Sequence, residues 1–145
     1  HAAAKITLFF VAGTLALQLG IKYVNDCDGL IKKSPVLAIC FLLCSLSLIG
    51  IPYFAGGESK DLIISAAKLE GINWLVYLFY GMMALSATYL LPISYRAFCK
   101  EPVGTQSPAK RSILMNSAII GTTAITLSFP LYESYIVKLL AKVIV

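Results

Sequence analysis

Charge is scarce in this sequence. Acidic and basic residues together make up 13% of its 145 positions, about half the roughly 25% of an ordinary soluble domain. So few charges cannot cover the surface of a water-soluble globule of this size. Histidine is scarcer still: there is one, and it is the first residue. No nucleotide-binding loop, zinc motif, Ser-His-Asp order or dinucleotide fingerprint is present. Soluble-type catalysis therefore has no foothold, and no cofactor or metal is expected. Acids are fewer than bases, and the net charge is +5. A nucleic-acid binder would gather that charge into a stripe. Here it falls in short clusters between apolar runs, the pattern of cytoplasmic loops in membrane proteins, so no nucleic-acid partner is expected. A basic region, an apolar region and a small-residue cleavage site do not occur in the order of a secretory leader. The chain begins at His1 and reads as a single membrane domain over 1–145, the C-terminal part of a larger protein.

What is abundant is apolar. Hydrophobic residues reach 59%, and mean hydropathy is +0.83. The runs are too long and uniform for the alternating strands of a barrel, and a backbone in lipid must satisfy its own hydrogen bonds. The expected fold is all-α, a polytopic transmembrane bundle of about four spans, one of them discontinuous. The first covers 2 to about 24, which requires Lys22 to snorkel to the interface. A polar connection over 25–34 precedes Pro35, a residue tolerated in a first helical turn. The second segment is uncharged over 35–57 and is broken near Gly50, Pro52, Gly56 and Gly57. An apolar piece follows at 62–69. Either 35–55 spans alone and 61–69 is a surface helix, or 35–69 is one span with a charged break inside the membrane. The third segment, 71–95, carries Pro92 near its end. The fourth, 112–132, is expected to end at Phe129-Pro130. The tail 131–145 reads as an interfacial helix or as the start of a further span. The loops richest in lysine and arginine are 22–33 and 96–111, and both are expected in the cytoplasm.

Cys40 and Cys44 lie four apart in an apolar run with no histidine or acid beside them. They read as small apolar packing residues, and no disulfide is inferred. His1 and Lys5 are one helical turn apart and share a face. A lysine in a membrane is costly and usually functional. Desolvation lowers its pKa, and a histidine titrates near neutrality, so the pair suits two steps of a proton relay. An ordinary helix start at the interface explains them equally well. Glu58-Ser59-Lys60-Asp61 follows the glycines of the break. Helix breaks place freed backbone groups and dipole ends at ion sites, where a lysine and two acids could exchange protons. In the plainer reading this is a solvated loop, with Ser59 as N-cap and Asp61 in the first turn of a surface helix. Thr7, Ser45, Ser47, Ser86, Thr88, Thr122, Thr123 and Thr126 read as helix-packing residues, with a hydrated path as the alternative.

The order of these features resembles a known family. Residues 1–13, with His1, Ala2, Lys5, Leu8, Phe9, Ala12 and Gly13 in place, resemble the HAxxKxxLFxxAG signature of the proton-conducting membrane transporters. These are the antiporter-like subunits of respiratory complex I and of multi-subunit Na+/H+ antiporters. Residues 29–35 resemble its GLxKxxP linker. Residues 45–56 with Ser59 and Lys60 resemble its LSLxGIPPFAGFxSK block, with Tyr53 in place of a second proline, Gly57 in place of a bulky residue, and an added Glu58. Residues 84–93 resemble the LNAAYFLPI stretch of D-type antiporter subunits. The resemblance implies proton translocation through a buried Lys/His relay. His1 and Lys5 would stand in a polar chain at mid-membrane, and Lys60 at the break of a discontinuous helix, with Glu58, Ser59 and Asp61 as accessory groups. It implies other membrane subunits as partners, protons as cargo with Na+ as a coupling ion, and the bacterial inner membrane as location. The family's glutamate and second lysine would lie upstream of His1. The competing reading is a membrane remnant or assembly subunit that transports nothing.

Overall fold

A computed structural model of the chain describes residues 1–21, 23–101 and 112–144. The described residues form six α-helices: α1 Ala2–Gln18, α2 Leu30–Lys33, α3 Pro35–Ile49, α4 Ala55–Leu69, α5 Asn73–Cys99 and α6 Ile113–Ile144, with a 3-10 turn at Val24–Cys27. No strand occurs among them. Three stretches are long and apolar enough to cross a membrane: Ala2–Leu19, Asn73–Cys99 and Ile113–Tyr132. The chain is an all-α membrane helix bundle. Lys22 and residues 102–111 lie outside the described residues, so the snorkelling lysine and most of the second basic loop do too.

Helix α3 is the central element and touches every other α-helix. Its sequence suits that place, because more than half of its residues are buried. Pro35 occupies its first turn, where the missing N–H costs nothing. Toward the loop end, Val11 and Leu15 of α1, Leu37, Ala38 and Cys40 of α3, and Ala97 of α5 share one core. Toward the other end, Ala4 packs with Cys44, Leu48, Ile49 and Leu90. A third cluster, Ile64, Ala67 and Val76, fixes α4 on α5. Large apolar side chains such as Phe9, Leu17, Tyr77 and Leu114 point outward. Thr7, Thr14, Ser45, Ser47, Thr123 and Thr126 are buried. This inversion is that of a bundle whose solvent is lipid and whose helices meet through small polar residues. The hydroxyls of Thr7, Thr14, Thr123 and Thr126 bond carbonyls one turn back on their own helices. Of the residues read as helix packing, Thr7, Ser45, Ser47, Thr123 and Thr126 are buried, whereas Ser86 and Thr122 lie partly exposed and Thr88 exposed.

Three boundaries differ from those read in the sequence. Helix α1 stops at Gln18 rather than near 24, where Ile21 N–H closes back onto Leu15 O at 3.1 Å. The fourth apolar segment, α6, does not end at Pro130 but runs through it to Ile144. A proline removes one rung of the helical ladder, and the leucine, lysine and alanine of the tail sustain helix beyond it. The break after α3 occupies 50–54, so Gly56 and Gly57 belong to α4. Phe54 is therefore the N-cap of α4, not Ser59, and Glu58 rather than Asp61 is the acid of its first turn. The physical reason is close approach. A Cβ on Gly56 would collide with the Ser47 carbonyl, and one on Gly57 with the Ile51 carbonyl. Only glycines allow the first turn of α4 to lie against the last turn of α3.

Candidate functional site

The site is built at the junction of α3 and α4. Gly50 takes the left-handed conformation, φ 97°. The N–H groups of Gly50 and Ile51 both return to Leu46 O at 3.2 Å, which ends the helix in the manner of a Schellman cap. This spends one carbonyl of the last turn and leaves those of Leu48 and Ile49 to other donors. Tyr53 also has positive φ, 73°, a strained conformation for a bulky residue. A proline, locked at negative φ, could not take Tyr53's place here. On the other side of the turn, Gly56 N–H donates to Ser47 Oγ at 3.3 Å, and Ser59 Oγ donates to Gly56 O at 3.3 Å.

The half-buried Lys60 reaches back across this turn. Its Nζ donates to Leu48 O at 2.6 Å and to Ile49 O at 3.0 Å. A cation thus sits at the negative end of the α3 dipole, bonded to the carbonyls the cap leaves over. A side chain on Gly50 would press on Lys60 Cδ at 2.9 Å and Nζ at 3.1 Å, so the glycine also makes room for the ammonium. Lys60 is held by neutral carbonyls rather than by Glu58 or Asp61. The ion pairs among the described residues lie elsewhere, at Asp28. Glu58 is half-buried and Asp61 exposed.

His1 and Lys5 lie on the exposed face of the first turns of α1, with Lys5 N–H bonded to His1 O at 3.0 Å. Between them, Ala4 is fully buried against Leu48 and Ile49. The first turn of α1 therefore stands beside the same turn of α3 that holds Lys60. No hydrogen bond or ion pair joins His1 or Lys5 to Lys60 among the described residues. All four cysteines are free. Cys44 Sγ lies 3.9 Å from Thr123 Oγ1 in the interior. No group of three metal-ligating side chains occurs among the described residues.

Sequence reasoning missed the ion pair at the opposite end of the bundle. Arg96 Nε donates to Asp28 Oδ1 at 2.8 Å, its Nη2 to Oδ2 at 3.4 Å, and Lys100 Nζ stands 4.0 Å from the same carboxylate. The Arg96 guanidinium holds the Asp28 carboxyl below its ordinary range. Gly29 N–H bonds Arg96 O at 3.2 Å. The α1–α3 connection is thus fastened to the end of α5.

Residues 1–86 match the transmembrane family described as NADH:quinone oxidoreductase/Mrp antiporter. The chain belongs to this family. The matched region contains the first turn of α1, the connection and the whole α3–α4 junction. Relatives include NADH-ubiquinone oxidoreductase chain 5 of Pelomedusa subrufa, 36% identical over 105 residues, which is 70% of this chain and 17% of that one. NADH-quinone oxidoreductase subunit N of Chloroflexus aggregans is 33% identical over 107 residues, 72% of this chain and 22% of that one. In fold, the chain matches the Mrp complex from Dietzia sp. DQ12-45-1b with a TM-score of 0.82 at 20% identity, over 94% of this chain and 34% of that one. It matches respiratory complex I from Thermus thermophilus with a TM-score of 0.72 at 23% identity, over 91% and 31%. The chain thus spans about a third or less of the length of each of these proteins.

Proposed function

We propose that this chain forms part of a proton-translocating, antiporter-like membrane subunit, with Lys60 as a proton-exchange group at the α3–α4 break. One observation carries the reading: the Lys60 ammonium on the Leu48 and Ile49 carbonyls at the end of an interrupted helix. A cation so held needs no permanent counter-charge. It can give up its proton and leave neutral carbonyls behind, with no carboxylate stranded. In this reading α3 and α4 together form one discontinuous span. The 15 residues of α3 reach only about 22 Å, less than the roughly 30 Å of a bilayer core.

His1 and Lys5 stand at the same end of α3 and supply the preceding steps of the relay, with water bridging the gap to Lys60. Glu58, Ser59 and Asp61 act as accessories at the exit. Family membership supports other membrane subunits as partners, in an assembly of either the quinone-reducing or the Mrp antiporter kind. Residues 84–93 favour a D-type subunit, with Na+ as coupling ion. The positive charge of the two basic loops supports a cytoplasmic position for the α1–α3 connection and the end of α5, in a bacterial inner membrane.

The test is Lys60→Ala in the assembled complex, reconstituted in liposomes with a pH-sensitive dye. Proton translocation is expected to fall by at least about tenfold while the subunit composition stays intact. Unchanged translocation would remove Lys60 from the mechanism.

A further inference from the structure

One buried hydroxyl of the bundle behaves unlike its neighbours. Thr7, Thr14, Ser94, Thr123 and Thr126 are buried, and each donates to a carbonyl one turn back on its own helix. That is the usual choice for a hydroxyl inside a helix. Ser47 is as deeply buried, at 2% exposed, but its Oγ is turned to the next helix, where it accepts the Gly56 N–H at 3.3 Å.

The start of α4 lacks what Ser47 supplies. A helix begins with unpaired N–H groups, and a polar side chain at the N-cap ordinarily accepts from one of them. The N-cap of α4 is Phe54, whose side chain makes no capping bond. The Phe54 carbonyl takes the N–H groups of Gly57 and Glu58, at 2.8 and 3.1 Å. The Gly56 N–H is left to Ser47, which thus stands in for the N-cap from a different helix. Gly56 and Lys60 are four positions apart and share a face of α4. Ser47 immediately precedes Leu48 and Ile49, whose carbonyls hold the Lys60 ammonium. Two successive turns of α4 are therefore fastened to three successive residues of α3. The missing side chain of Gly56 lets the backbones meet, but close approach alone has no direction. The bond to Ser47 has one, and it fixes how α4 is turned about its axis.

We infer that Ser47 is a positioning residue for Lys60: its hydroxyl caps α4 from α3 and sets the register at which Lys60 Nζ meets the Leu48 and Ile49 carbonyls. Ser47 carries no proton itself. Its consequence for transport rests on Lys60 exchanging the proton, whereas its placement of the ammonium does not, so the two are read separately.

The test treats the assembled complex with acetic anhydride and reads acetylation of Lys60 against that of the exposed Lys68 by peptide mass spectrometry. Ser47→Ala is expected to raise the Lys60-to-Lys68 ratio roughly fivefold, the usual effect of losing one N-cap, and to slow proton translocation. Phe54→Ser puts an acceptor at the N-cap itself, where the extended backbone, φ −105° and ψ 149°, suits a capping residue. On that background Ser47→Ala is expected to change the ratio by less than about twofold. An unchanged ratio in Ser47→Ala would overturn the proposal. So would an equal effect of Ser47→Ala with and without Phe54→Ser, since Ser47 would then act by packing alone. A raised ratio with translocation at the unaltered rate would uphold the placement of Lys60 by Ser47 and overturn Lys60 as the proton carrier. Where Ser47→Ala alone does not assemble, recovery of assembly by Phe54→Ser supports the proposal and its failure to recover overturns it.

Discussion

Lys60 Nζ lies 2.6 Å from the carbonyl oxygen of Leu48, twelve residues earlier in the chain. With the Ile49 contact, it closes the end of α3 from across a helix break. The same group is therefore both a cap and a candidate proton carrier. Discounted for the partial exposure of Lys60, the two charge-assisted bonds together contribute about 1.5–3 kcal/mol. Release of the proton must loosen the junction, and tightening the junction must favour the charged form.

The cap alone is testable without transport. Lys60→Met keeps the length of the side chain and removes the charge. It is expected to destabilise the detergent-solubilised chain by about 1.5–3 kcal/mol, read as a lower midpoint of thermal unfolding. A midpoint equal to that of the unaltered chain would show that the carbonyls find equal partners without Lys60.

Gly56 holds the other side of the junction. In Gly56→Ala the added methyl meets the Ser47 carbonyl, which is backbone and cannot rotate away. Overpacking of this kind costs about 1–3 kcal/mol. Gly13→Ala is the control, since nothing surrounds the position a Cβ would take there. Thermal unfolding should separate the two, with Gly56→Ala the less stable.

How much of this was legible in the sequence differs by element. The long apolar runs announced α1, α5 and α6, because a membrane helix is written in composition and length. Lys60 was marked by its place after a glycine-rich break. Its partners were not, because they are backbone carbonyls and any residue at 48 and 49 would supply them. The glycines were taken for the break itself. In fact Gly56 and Gly57 are small because α3 lies against them, a tertiary fact with no local signal. The Asp28–Arg96 pair was missed because it joins positions 68 apart. Its only trace was an acid inside a basic connection and an arginine one turn beyond Pro92. Pro130 misled because a proline weakens a helix without always ending it.

That pair sets a pH dependence. Arg96 holds the Asp28 carboxyl below its ordinary value, so the charged form is favoured in the folded state. The stability this brings is fully present above the ordinary aspartate pKa of about 3.9. It is lost as pH falls through the lower, folded value. Asp28→Asn is expected to be less stable than the unaltered chain at pH 7, with the gap closing in strong acid. Thermal unfolding from pH 7 to pH 2 checks this, and a gap that does not change with pH would contradict it.

Cysteine chemistry reports the topology. Cys99 is exposed at the end of α5, while Cys27, Cys40 and Cys44 are buried. Burial also pushes the Cys27 thiol up, which slows its reaction. A membrane-impermeant maleimide is expected to label Cys99 first, and only from the cytoplasmic face of the membrane. Labelling of Cys99 from the opposite face would invert the orientation drawn from the basic loops.

The central claim is that Lys60 exchanges a proton and does not merely cap α3. Lys60→Arg separates the two roles. Arginine keeps the positive charge and can donate to the same carbonyls, but it does not deprotonate in proteins. Proton translocation by the reconstituted assembly carrying Lys60→Arg is the most direct measurement. The account predicts an intact, stable assembly with translocation reduced at least about tenfold, as in Lys60→Ala. Translocation at the unaltered rate in Lys60→Arg would show that only the charge at the end of α3 is needed and would contradict the claim.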